Sequence, residues 1–106
     1  MTARWTTDEQ ERVHILSIKS LWNPIIRRGN YIFKINRNTG EDLIGVFLNS
    51  YFEVDYESKQ IRSEIYVFLH TNNSIAIDLL DIDNIEDATT EANIEFFSSL
   101  KPLEDG

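Results

Sequence analysis

Arg27, Arg28, Tyr31, Lys34 and Arg37 interleave four cations with an aromatic, a combination suited to one phosphate and one stacked base. From Pro24 to Gly40 the four cations are the only charged residues, so the segment is locally positive. Opposing it is an acidic run: Asp78, Asp81, Asp83, Glu86, Asp87, Glu91, Glu95, Glu104 and Asp105, with Lys101 as its one base. Residues 1–77 hold nine acids and nine bases, so the run from position 78 onward carries the whole net charge of −8. A run of this kind is a solvated face, a docking surface for a basic protein, or a mimic of nucleic acid. In the second case Asp83, Glu86, Asp87, Glu91 and Glu95 supply the charge, and Phe96 and Phe97 supply apolar anchors. The basic segment either neutralises those acids or takes a nucleotide or short single-stranded RNA. Double-stranded DNA is disfavoured, because the net field repels a phosphate backbone wherever the local patch does not dominate.

Bond-making chemistry has little to stand on. His14 and His70 are the only histidines, and neither is spaced with another residue as a metal pair. No nucleophile elbow, phosphate loop, dinucleotide fingerprint or zinc-protease motif occurs. Asp81, Asp83, Asn84, Glu86 and Asp87 resemble a calcium loop only until Ile85 takes the third ligand position and Glu86 replaces the turn glycine. With zero cysteines there is no thiolate ligand, sulfur nucleophile or disulfide frame. The expectation is a non-enzymatic chain with no metal and no cofactor. The N-terminus has neither a basic n-region nor an apolar h-region, and no apolar stretch reaches the roughly 18 residues of a membrane span, so a cytoplasmic, membrane-free setting is expected.

These groups need elements to position them, and 106 residues with 42% apolar and 26% charged residues make one ordinary domain. Thr7, followed by Asp8, Glu9 and Gln10, predicts a helix N-cap with a capping box. Val13 and Leu16 form one stripe of that helix, widened by Ile15, Ile18, Trp22 and Ile25. Pro24 predicts its end near Trp22, giving a helix over 7–22.

From Asn30 the period changes to two. Tyr31, Phe33 and Ile35 alternate with Ile32, Lys34 and Asn36, and Asn36 to Gly40 is a hairpin turn. The second strand starts at Asp42, is expected to bend at Gly45, and continues, with a break near Asn49-Ser50, to Tyr56. In the third strand Ile61, Ser63, Ile65, Val67 and Leu69 share a face. A fourth strand runs from Ile75 to Leu80, and a short fifth covers Asp81 to Glu86. The tail, 87–106, reads as an acidic helix capped by Thr89 or Thr90 and stopped at Pro102.

The fold class is therefore α+β, mainly β: a helix, a bent meander of four or five antiparallel strands over 30–86 closing as a small barrel, and a short acidic helix. Closure is the simplest way to hide the edges of so few strands.

Gly40-Glu41-Asp42-Leu43-Ile44-Gly45 is similar to the G-x-x-hydrophobic-x-G of the second strand of the Sm-like family, and Ile82-Asp83-Asn84-Ile85 resembles that family's closing strand. The resemblance implies a small Sm/SH3-like barrel with an N-terminal helix, and homo-oligomer assembly through exposed strand edges. RNA-binding members carry an Asp/Asn pair after the second strand and an Arg/Lys-Gly before the last. This chain has Asn49-Ser50-Tyr51 and Leu80-Asp81 there, which argues against that mode of RNA binding. The reading that emerges is a protein-binding regulator or inhibitor of viral or mobile-element type. Its acidic third docks a basic partner, and its positive and negative regions are expected to lie apart.

Overall fold

A computed structural model describes residues 1–100, so Lys101, Pro102, Glu104 and Asp105 of the acidic run lie outside the described residues. The elements are α1 (Glu9–Arg27), β1 (Ile32–Arg37), β2 (Asp42–Asp55), β3 (Gln60–Leu69), β4 (Ser74–Asp78), a 3-10 turn (Leu79–Asp81), β5 (Ile82–Asp87) and α2 (Glu91–Leu100). Among the described residues, no helix is long and apolar enough to cross a membrane.

The first helix starts one residue later than the sequence suggests. Asp8 is the cap: its side chain accepts from the Glu11 amide at 3.0 Å, and Thr6 donates its hydroxyl to the Glu11 carboxylate. The helix also runs five residues beyond the expected stop at Trp22, through Pro24. A proline inside a helix costs about 3 kcal/mol. Burying a large apolar side chain returns about 1.5–3 kcal/mol, and Trp22 and Ile25, on either side of Pro24, are both buried. Pro24 stands in the last turn, so packing on its two sides holds the turn together. Gly29, at φ 82°, then closes the helix, donating its amide to Ile26 O at 2.8 Å. The inward stripe is Ile15, Ile18, Trp22 and Ile25, whereas Val13 and Leu16, expected on the packed face, are more than half exposed.

The five strands form one antiparallel sheet in the order β4-β3-β2-β1-β5. β2 is a single strand of 14 residues, and its irregularity falls between Phe47 and Asn49 instead of at Gly45. Gly45 serves close approach: a Cβ there would stand 3.0 Å from the Phe68 carbonyl oxygen across the β2–β3 ladder. β4 stops at Asp78, two residues short of the expected Leu80, because the Asp78 side chain accepts from the Leu80 amide and caps the 3-10 turn.

The sheet is not closed, so the expected barrel is not observed. The edge strands β4 and β5 do not pair with each other; the 3-10 turn between them carries the chain across to β1. Other parts of the chain cover the gap. Beyond the end of β4, Thr6 and Ile61 exchange backbone hydrogen bonds of 2.9 and 3.0 Å, filling the free edge of β3. α1 packs on β5 and the 3-10 turn, and His14 Nε2 lies 2.7 Å from Ile82 O. A carbonyl only accepts, so Nε2 carries the proton. Phe33, Ile35, Ile65, Val67, Ile77, Leu79 and Ile82 fill the space between sheet and helix, with Phe47 bridging Trp22 and Phe33 at ring-centroid distances of 6.3 and 5.6 Å.

Candidate functional site

β1 and β5 are neighbouring strands, and this sets the electrostatics of the whole surface. The ladder pairs Lys34 with Glu86 and Phe33 with Asp87, so the basic segment and the acidic run sit side by side instead of apart as expected. Arg28 Nη2 reaches Asp87 Oδ2 at 3.1 Å, and Asn30 Nδ2 donates to the same oxygen at 2.8 Å. Thr89 donates its amide to Asp87 Oδ1 at 3.0 Å. Desolvation pushes the Asp87 carboxyl upward, but the hydrogen bonds from Thr89, Asn30 and Arg28 outweigh it and hold the group well below the usual carboxylate range. Arg4 plays a similar part at the other end of β5, binding Asp78 at 2.9 Å and Asp81 at 2.7 Å. Its hydrogen bond to Asp78 is the largest of several influences and raises the guanidinium pKa.

The remaining basic residues are partly committed too. Arg37 pairs with Glu41 at 3.2 Å, and its buried Nε finds no acceptor among the described residues. Arg27, Tyr31 and Lys34 complete the sequence-derived nucleotide set; Arg27 ends α1 on the surface and Tyr31 is exposed ahead of β1. Among the described residues neither Arg27 nor Lys34 has an ion pair.

Within the acidic run, the acids that have no ion pair among the described residues are Asp83, Glu86, Glu91 and Glu95. Asp83 and Glu86 are exposed on β5, with Asp83 lining a cleft of about 440 Å³ beside Asp8, Glu11, His14 and Asp81. Glu91 and Glu95 are four residues apart on α2, hence on one face of that helix. Thr90 caps α2 by accepting from the Asn93 amide at 3.1 Å. The two phenylalanine rings meet edge to face, centroids 5.3 Å apart; Phe97 turns inward against Phe68, ring centroids 6.4 Å apart, while Phe96 stays exposed. These acids thus follow one another along the chain from β5 into α2, where Phe96 is exposed. At about 3.3 Å per residue, Asp83 and Glu86 stand about 10 Å apart along β5.

Sequence reasoning missed Glu64. It lies on the polar side of the β3 alternation yet is only 5% exposed, because residues 1–3 lie over it. The N-terminal segment shows no periodicity that could have announced this contact.

His70 also serves structure: its Nδ1 and its backbone amide both lie 3.0 Å from Ile44 O. Comparison of the chain with protein-family models, curated proteins and solved structures finds no match.

Proposed function

We propose that this chain is a non-enzymatic protein-binding module that docks a basic partner through β5 and α2 and associates with further copies through its strand edges. The observation that carries the reading is the division of the acids. Arg4 and Arg28 neutralise Asp78, Asp81 and Asp87, whereas Asp83, Glu86, Glu91 and Glu95 have no ion pair among the described residues; with the exposed Phe96 they make up the proposed acidic row along β5 and α2. Charges on a rim of this kind steer association and set specificity, and an exposed aromatic supplies an anchor. The ordering of edge strands supports the second part. Lys34 pairs with Glu86 and Ala88 donates its amide to Ile32 O, so the alternation of the ladder turns the main chain of Ile85 and Asp87 away from β1. Pairing of that edge with β4 of a second copy would complete a closed, Sm-like arrangement of strands.

The test is quantitative affinity capture from the source cell, comparing the natural chain with one carrying Asp83→Asn, Glu86→Gln, Glu91→Gln and Glu95→Gln. The variant is expected to lose its basic interactors at physiological salt and to retain a fraction of them at low salt. Unchanged recovery at both salt concentrations rejects the row as the docking surface.

A further inference from the structure

We propose that the outer face of the β2–β3 hairpin holds a second recognition site: a cleft for the cationic head of one Lys or Arg side chain, built from Glu64, Tyr51 and Tyr66. The three residues are neighbours on that face because Tyr51 pairs with Glu64 across the β2–β3 ladder and Tyr66 follows Glu64 by two positions. With Met1 they line a cleft of about 230 Å³, smaller than a site for a drug-sized ligand and suited to a single head group.

Glu64 makes the cleft more than a dent. All of its hydrogen bonds fall on Oε1, which accepts from the Thr2 amide at 3.0 Å, the Ala3 amide at 3.2 Å and the Thr2 hydroxyl at 3.4 Å. Oε2 takes none among the described residues and is not sealed from solvent. A carboxylate this deeply buried is costly without a counter-charge. Its cross-strand neighbour on β4 is Asp78, a like charge, which Arg4 satisfies while leaving Glu64 without a cation among the described residues. The site is therefore one positive charge short. Tyr51 and Tyr66, both partly exposed, bring ring faces that attract a cation. Anchoring of residues 2 and 3 explains Oε1; it does not account for the open Oε2 of a carboxylate that lines a cleft with two tyrosines.

The site lies about 13 Å along β3 from Phe68, where α2 packs, and needs neither α2 nor β5. The probes are N-acetyl-lysine methylamide, N-acetyl-arginine methylamide and the neutral isostere N-acetyl-norleucine methylamide, titrated into the full chain and followed by amide chemical shifts. Saturable shifts at Thr2, Ala3, Glu64 and Tyr66 with either cation, and none with the isostere, are expected. Glu64→Gln, which still accepts from residues 2 and 3, should weaken the response about tenfold, and the exposed-site variant Tyr51→Ala about threefold. Tyr51→Phe should keep it, and so should Glu91→Gln/Glu95→Gln, which separates this site from the acidic row. An equal response to norleucine, no response to either cation, or an undiminished response in Glu64→Gln overturns the proposal.

Discussion

Phe33→Ala is expected to lower the free energy of unfolding by about 3–5 kcal/mol, read as a shift of the urea midpoint with the slope unchanged. Phe33 is fully buried on β1, a strand flanked on both sides by β2 and β5, with the Phe47 ring 5.6 Å away and α1 beyond. A strand held by two ladders cannot move inward to fill the cavity, which places the cost at the upper part of the usual range. Domains of this size have about 5–15 kcal/mol in total, so the variant sits near the limit of folding. A loss below about 1 kcal/mol would mean that α1 is not packed on the sheet as described.

Gly45→Val is the second large effect, about 1–2 kcal/mol destabilising in the same assay. Valine favours strands, a gain of up to about 1 kcal/mol at an open position. The added Cβ, however, would meet the Phe68 carbonyl oxygen at 3.0 Å and the Leu69 Cδ2 at 3.3 Å, and the first of these belongs to the backbone of the paired strand. Overpacking of this kind costs about 1–3 kcal/mol and outweighs propensity. A neutral or stabilising result would show that the two strands are further apart than the ladder implies.

The same glycine shows how far the sequence could be read. A glycine within a strand signals either an irregularity or a close approach, and only the partner strand decides. Here the irregularity falls at Phe47–Asn49 and the close approach at Gly45. The period-two pattern of β3 was legible because Ile61, Ser63, Ile65, Val67 and Leu69 all face the core. In α1 two apolar stripes competed, and the choice between Val13-Leu16 and Ile15-Ile18-Trp22-Ile25 depends on where the sheet lies. The run of α1 past Pro24 is not legible in sequence, where only the local cost of proline shows, whereas the compensating burial of Trp22 and Ile25 is tertiary. Of the candidate sites, the acidic row was legible as composition. The adjacency of β1 and β5 was not: Arg28 and Asp87 are 59 residues apart, and their pairing follows from strand order alone. Glu64 was hidden for the same reason, since its nearest amides come from the chain's second and third residues.

The claim that recognition runs through charge placed on β5 and α2, and not through net charge, is tested most directly by two matched variants. Glu91→Gln/Glu95→Gln and Glu9→Gln/Glu57→Gln each remove two exposed carboxylates that have no ion pair among the described residues. Affinity for the captured partner, measured by calorimetry at physiological salt, is expected to fall about tenfold in the first variant and less than about twofold in the second. Equal losses in the two variants, or no loss in the first, would contradict the account.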